Sequence, residues 1–149
     1  MQRIAWKYAL RMLAGFILLF LVAHFTGLSH NYHLRILNGI IHLTFMWMAI
    51  KEYWQTHPDQ LGNYVSGVAM GMYTAVPAVA LFTFFMWVFL SLDVNRDFFE
   101  HLRSQAPLPE YFTPFTASLY IFVEGIAVSL IGSYVLARIL ETRMSGEQT

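Results

Sequence analysis

The chain has 149 residues, 57% of them hydrophobic and 12% charged. A soluble domain of this length carries about 25% charged residues, so the composition excludes an ordinary soluble domain and points to the membrane. Formal net charge is zero and there is no cysteine. That argues against a nucleic-acid surface and excludes disulfides, a thiol nucleophile and thiolate metal sites.

Four apolar segments follow one another, and each predicts a membrane-spanning helix. The first runs from about Ile4 to Thr26, behind Arg3, Lys7 and Arg11. That layout resembles a signal peptide, but no small-residue cleavage site is evident before Gly27, so it reads as an uncleaved helix. The second runs from about Leu34 to Tyr53, the third from about Tyr64 to Leu90, and the fourth from about Pro114 to Leu140. Pro77 lies inside the third and is expected to kink it. The second connection carries the turn signals His57-Pro58-Asp59 and Gly62-Asn63. In the third, Phe98, Phe99 and Leu102 share one helical face, which predicts a short interfacial helix ending at Pro107 and Pro109. Arg96 and Glu100 are spaced to pair across one turn. The expected fold class is therefore all-α, a single domain of four spans with one interfacial helix.

Lysine and arginine counts set the expected orientation. A cytoplasmic N-terminus puts Arg3, Lys7, Arg11, Lys51, Arg138 and Arg143 inside, and Arg35, Arg96 and Arg103 outside. Both termini are then cytoplasmic. Trp6, Tyr53, Trp54, Trp87, Tyr111 and Tyr134 lie near span ends, where interfacial anchors belong. Lys7 and Arg11 are expected to reach anionic head groups.

Small residues recur every four positions in two spans: Gly67, Gly71 and Ala75 in the third, and Gly125, Ser129 and Ser133 in the fourth. Such stripes allow close backbone approach. They serve either as a dimerisation face or as a seam between these two spans in one chain. The seam is the favoured reading, because a short bundle needs internal contacts first.

Polar residues within the spans carry the functional signal. Glu124 lies about nine residues into the fourth span, where a charge costs on the order of 2.5–3.5 kcal/mol or more at a helix centre. His42 lies at a similar depth in the second, roughly 14 Å at 1.5 Å per residue. Asn38 stands one turn from His42, and Tyr120 one turn from Glu124. Tyr73 and Thr74 of the third span are at a comparable level. One reading is a protonatable site for transport or for a polar ligand. The other, which leads at this point, is a structural polar clamp. His24, His30 and His33 cluster near one surface, but no carboxylate or thiol completes a metal set, so neither a metal nor a cofactor is expected. No nucleophile elbow, phosphate loop or zinc-protease motif is present.

The stretch Leu34-Arg35-Ile36-Leu37-Asn38-Gly39-Ile40-Ile41, with Ala49-Ile50-Lys51-Glu52-Tyr53, resembles the second helix of the domain-of-unknown-function family 4199. The run from Leu61 to Gly71 is similar to the start of that family's third helix. The third connection is shorter here. The resemblance implies a four-helix protein of a bacterial inner membrane, with no established activity and no catalytic residues. The reading as a whole is a non-enzymatic structural or accessory membrane component, acting as a homo-oligomer or as a subunit of a larger complex. The alternative is a small proton-linked transporter or channel using an intramembrane site of Glu124 and His42.

Overall fold

The computed structural model describes residues 1–27 and 34–146. Among these, five α-helices account for nearly all regular structure: α1 (Gln2–Phe25), α2 (Leu34–Thr56), α3 (Tyr64–Ser91), α4 (Arg96–Ser104) and α5 (Pro114–Gly146). The four long helices occupy the apolar runs, and α5 continues past Leu140 through Arg143. Helix α3 passes through Pro77 as one assigned helix.

Local chemistry sets the helix ends. Gly27 adopts φ +70° directly after α1, a left-handed terminator that suits glycine. Asn63 caps α3 by accepting from the Ser66 amide at 3.3 Å. Asn95 Nδ2 donates to the Phe89 carbonyl at 2.8 Å, near the other end of α3. Thr113 and Thr116 cap α5 reciprocally, each amide donating to the other's hydroxyl at 2.8 and 3.2 Å. Pro114 follows at the first helical position, where its missing N–H costs nothing.

The long helices alternate in direction. Helices α2 and α3 touch each other, and both touch α1 and α5. One end of the bundle carries α4; the other gathers the start of α1, the α2–α3 connection and the end of α5. The core has two parts. Met12, Phe16, Met46, Phe82 and Met86 fill the α4 half, and Tyr8, Ile50, Trp54, Met70 and Leu140 fill the other.

Helices α3 and α5 meet along their small stripes. A methyl added at Gly71 would lie 2.6 Å from Ser133 Cβ, and one at Gly125 would lie 2.6 Å from Val79 Cγ1. One at Gly67 would strike the Trp54 ring and come within 3.1 Å of Ala137. Ala75, Ser129 and Ser133 are fully buried. Steps of four along α3 thus match steps of four back along α5, the close antiparallel seam that small residues permit.

Two interfacial expectations change. Tyr53 and Trp54 are buried, with the Trp54 indole N–H donating to Ser66 Oγ at 3.3 Å. Trp54 belongs to the core because Gly67 leaves room for its ring. Lys7 pairs with Glu52 at 2.5 Å, the same carboxylate that accepts from the Tyr8 hydroxyl at 2.6 Å. In α4, Phe99 is buried and stacks on Phe112 at 5.9 Å, while Glu100 pairs with Arg103 at 3.6 Å. The amphipathic α4 lies across its end of the bundle with its apolar face inward.

Three helices are long and apolar enough to cross a membrane: Gln2–Phe25, Tyr64–Ser91 and Pro114–Met144. Helix α2 has the length but a more polar composition, carrying Asn38, His42, Lys51 and Glu52.

Candidate functional site

A cavity of about 330 Å³ lies in the α4 half of the bundle. Asn38, Gly39 and His42 of α2 form one side, and Tyr120, Glu124 and Gly125 of α5 another. All four residues singled out by their polarity therefore border one space. Tyr120 and Glu124 are exposed, so the cavity opens between α2 and α5 and forms a cleft. Its deeper wall is apolar and comes from three further elements: Phe16 and Phe20 of α1, Phe82 and Met86 of α3, and Leu102 of α4.

His42 is 4% exposed, and its Nε2 lies 3.0 Å from Ser129 Oγ. Ser129 Oγ in turn lies 2.6 Å from the Gly125 carbonyl. Two oxygens that close require the hydroxyl proton between them. The hydrogen-bond network therefore assigns Nε2 as the donor to Ser129. Phe16 meets the imidazole edge-to-face at 5.6 Å. A serine beside a histidine is the pairing of a hydrolytic nucleophile, but here the polarity is reversed. The serine hydroxyl donates its proton to a backbone carbonyl and is wholly buried.

Asn38 Oδ1 is buried with no partner among the described residues. A buried acceptor left unsatisfied costs about 1–3 kcal/mol. Glu124 is the eleventh residue of α5, about 15 Å along the helix at 1.5 Å per residue. Its two carboxylate oxygens offer about four acceptor sites.

The remaining predicted residues fall elsewhere. Thr74 is buried and donates to the Met70 carbonyl at 2.9 Å, and Tyr73 is exposed; neither borders the cleft. His24 lies among aromatic rings, 5.1 Å from Phe89 and 5.3 Å from Phe98, with Nδ1 buried and without a partner among the described residues. His30 and His33, the other members of that cluster, lie outside the described residues. Sequence reasoning missed Ser129 as the partner of His42, having assigned it only to the small stripe. It also missed Gly39, whose lack of a side chain opens the cleft beside Asn38; a Cβ there would meet nothing within 4 Å.

No family model, curated protein or solved structure matches this chain. The geometry of the cleft is therefore the basis for a functional reading.

Proposed function

We propose that this chain is a non-enzymatic, four-span membrane protein that binds a small ligand in the cleft between α2 and α5. The observation that carries this reading is the convergence of Asn38, His42, Tyr120 and Glu124 on one 330 Å³ space. Ligand sites are typically about 300–1,000 Å³ and mostly apolar, with a few placed polar groups. A pure structural clamp has no use for an open cleft or for the unsatisfied Asn38 acceptor.

Several features support α2 as the fourth span. Its 23 residues extend roughly 34 Å, enough to cross a hydrocarbon core of about 30 Å. Ile36, Leu37, Ile40, Leu43 and Met48 make its exposed surface mainly apolar between Ile36 and Met48. The polar atoms of His42 and Asn38 turn inward, and Glu52 is engaged by Lys7 and Tyr8. Four spans put both termini on one side, and the lysine and arginine bias makes that side cytoplasmic. The bacterial inner membrane and the resemblance to family 4199 belong to the same proposal.

The cleft gathers enough polar side chains for an enzyme. Binding is favoured because the Ser129–His42 pair is polarised away from nucleophilic attack. Oligomerisation through the small stripes is disfavoured because the stripes are occupied within the chain.

Cysteine labelling tests the reading on a clean background, since the chain has no cysteine. Thiols react as thiolates, which require water. Gly39→Cys and Tyr120→Cys in membranes are expected to react with a maleimide. Leu130→Cys and Ile131→Cys, exposed on the outer face of α5, are expected to stay unlabelled. Unreactive cysteines at 39 and 120 would mean a dry bundle, and the structural reading would replace this one.

A further inference from the structure

The α2–α5 joint carries a second feature at the end of the bundle away from α4. Leu43, Trp47 and Lys51 follow one another at steps of four on one face of α2. Gly132, Ile139 and Arg143 form a line along α5, at steps of seven and four. Two contacts show that these faces front one groove. A methyl at Gly132 would lie 2.7 Å from Leu43 Cδ2, and the Arg143 guanidinium lies over the Trp47 ring, 5.5 Å from its centre. Trp47 is partly buried against the core, so its ring is a fixed seat for the arginine. Leu43 and Ile139 are exposed and line an apolar lane that leads to the two basic side chains.

The basic residues at this end are not equivalent. Lys7 pairs with Glu52, whose carboxylate also accepts from Tyr8, and Arg11 lies over that Tyr8 ring at 5.5 Å. Arg138 pairs with Glu141. Lys51 and Arg143 are exposed and, among the described residues, have no carboxylate within ion-pair distance. Lys7 and Arg11, which the sequence directs to head groups, thus share an acidic centre, and Lys51 and Arg143 do not. Lys51 lies about 26 Å along α2, near the inner edge of a hydrocarbon core of about 30 Å.

We propose that Lys51 and Arg143 bind the phosphate of an anionic phospholipid of the inner leaflet, beside Trp47, with an acyl chain in the groove past Ile139 and Leu43. Two cations complement a phosphate, and the ammonium of a zwitterionic head group would be repelled by them. The lane makes the ligand a lipid, since a free phosphate would occupy the basic end alone. An acidic protein segment would bring polar backbone into the lane at a depth where lipid cannot satisfy it. The site requires α2 to span the bilayer, which is part of the reading above, and is independent of the ligand cleft.

Native mass spectrometry of the full-length protein in neutral detergent tests it, with phosphatidylglycerol and phosphatidylcholine of identical chains as probes. A basic side chain near an anionic lipid contributes roughly fivefold in affinity, so the first phosphatidylglycerol is expected to bind about tenfold or more tightly than the first phosphatidylcholine. Lys51→Gln and Arg143→Gln should each lower that preference about fivefold, and the double substitution should abolish it. Lys51→Arg should retain it, and so should Arg11→Gln. If the double variant loses helical circular dichroism, the two single variants and Lys51→Arg decide. Equal binding of the two lipids, or a preference that survives the double substitution, would overturn the assignment. Displacement of phosphatidylglycerol by inorganic phosphate would mean an ion site and would overturn it as well. Gln55→Cys checks the span separately: it is expected to react with an impermeant maleimide only in inside-out vesicles. Reaction in right-side-out vesicles would overturn the topology, and with it the placement in the inner leaflet, whatever the lipid ratios.

Discussion

Gly71→Ala tests the seam on which the bundle depends. The added methyl would lie 2.6 Å from Ser133 Cβ, 3.3 Å from Ser133 Cα and 3.3 Å from Met46 Cε. Carbon atoms in ordinary contact sit at about 3.5–4.0 Å, so α3 and α5 must separate locally by about 1 Å. Met46 can swing its terminal methyl aside. Ser133 cannot, because its Cβ is fixed to the α5 backbone and the residue is fully buried. Overpacking of this kind costs about 1–3 kcal/mol. Alanine recovers up to about 1 kcal/mol of helix propensity relative to glycine. The expected net loss is about 1–2 kcal/mol, roughly a five- to thirtyfold shift toward the unfolded state. Reversible unfolding in mixed micelles with rising dodecyl sulfate, followed by circular dichroism, measures it. A variant as stable as the unaltered protein, or more so, would show that α3 and α5 do not approach this closely.

The same assay separates three further sites. Gly39→Ala is expected to be neutral or stabilising by up to about 1 kcal/mol, since its methyl meets open space within a helix; Gly39→Leu should instead fill the cleft and suppress maleimide labelling of Tyr120→Cys. Ser129→Ala removes the acceptor of the buried His42 Nε2–H, for an expected loss of about 1–3 kcal/mol. Adding His42→Leu to that variant should recover part of the loss, and a purely additive outcome would argue against the bond. Thr113→Ala should cost about 0.5–2 kcal/mol by removing one half of the α5 capping box, whereas an unchanged midpoint would mean the cap contributes nothing.

Much of the architecture was legible in the residues. Long, mostly apolar runs with few charges locate the four long helices, because a buried or lipid-facing backbone must bond to itself. The four-residue spacing of glycine, alanine and serine marks the faces that pack, because only small side chains permit so close an approach. The amphipathic pattern of Phe98, Phe99 and Leu102 foretells α4 and its inward face. Each of these signals is local and repeats within one helix. Trp54 shows where local signals stop: its sequence context suits an interfacial anchor, and only the gap at Gly67, on another helix, makes it a core residue.

The candidate site divides along the same line. Sequence alone singled out Asn38, His42, Tyr120 and Glu124, because polar groups among apolar neighbours are costly and require a reason. It also placed His42 and Glu124 at similar depth, since helical rise converts residue number into distance. Rotation about the helix axis and the lateral gap between helices are not encoded in one segment's pattern. They follow from how α1, α3 and α4 pack around α2 and α5. The tertiary structure therefore decided that His42 meets Ser129, that Gly39 opens a space, and that phenylalanines from other helices form its wall. Hydrophobic burial is non-directional, so the sequence could determine which faces seek contact, while the choice of partner depended on which surfaces fitted together.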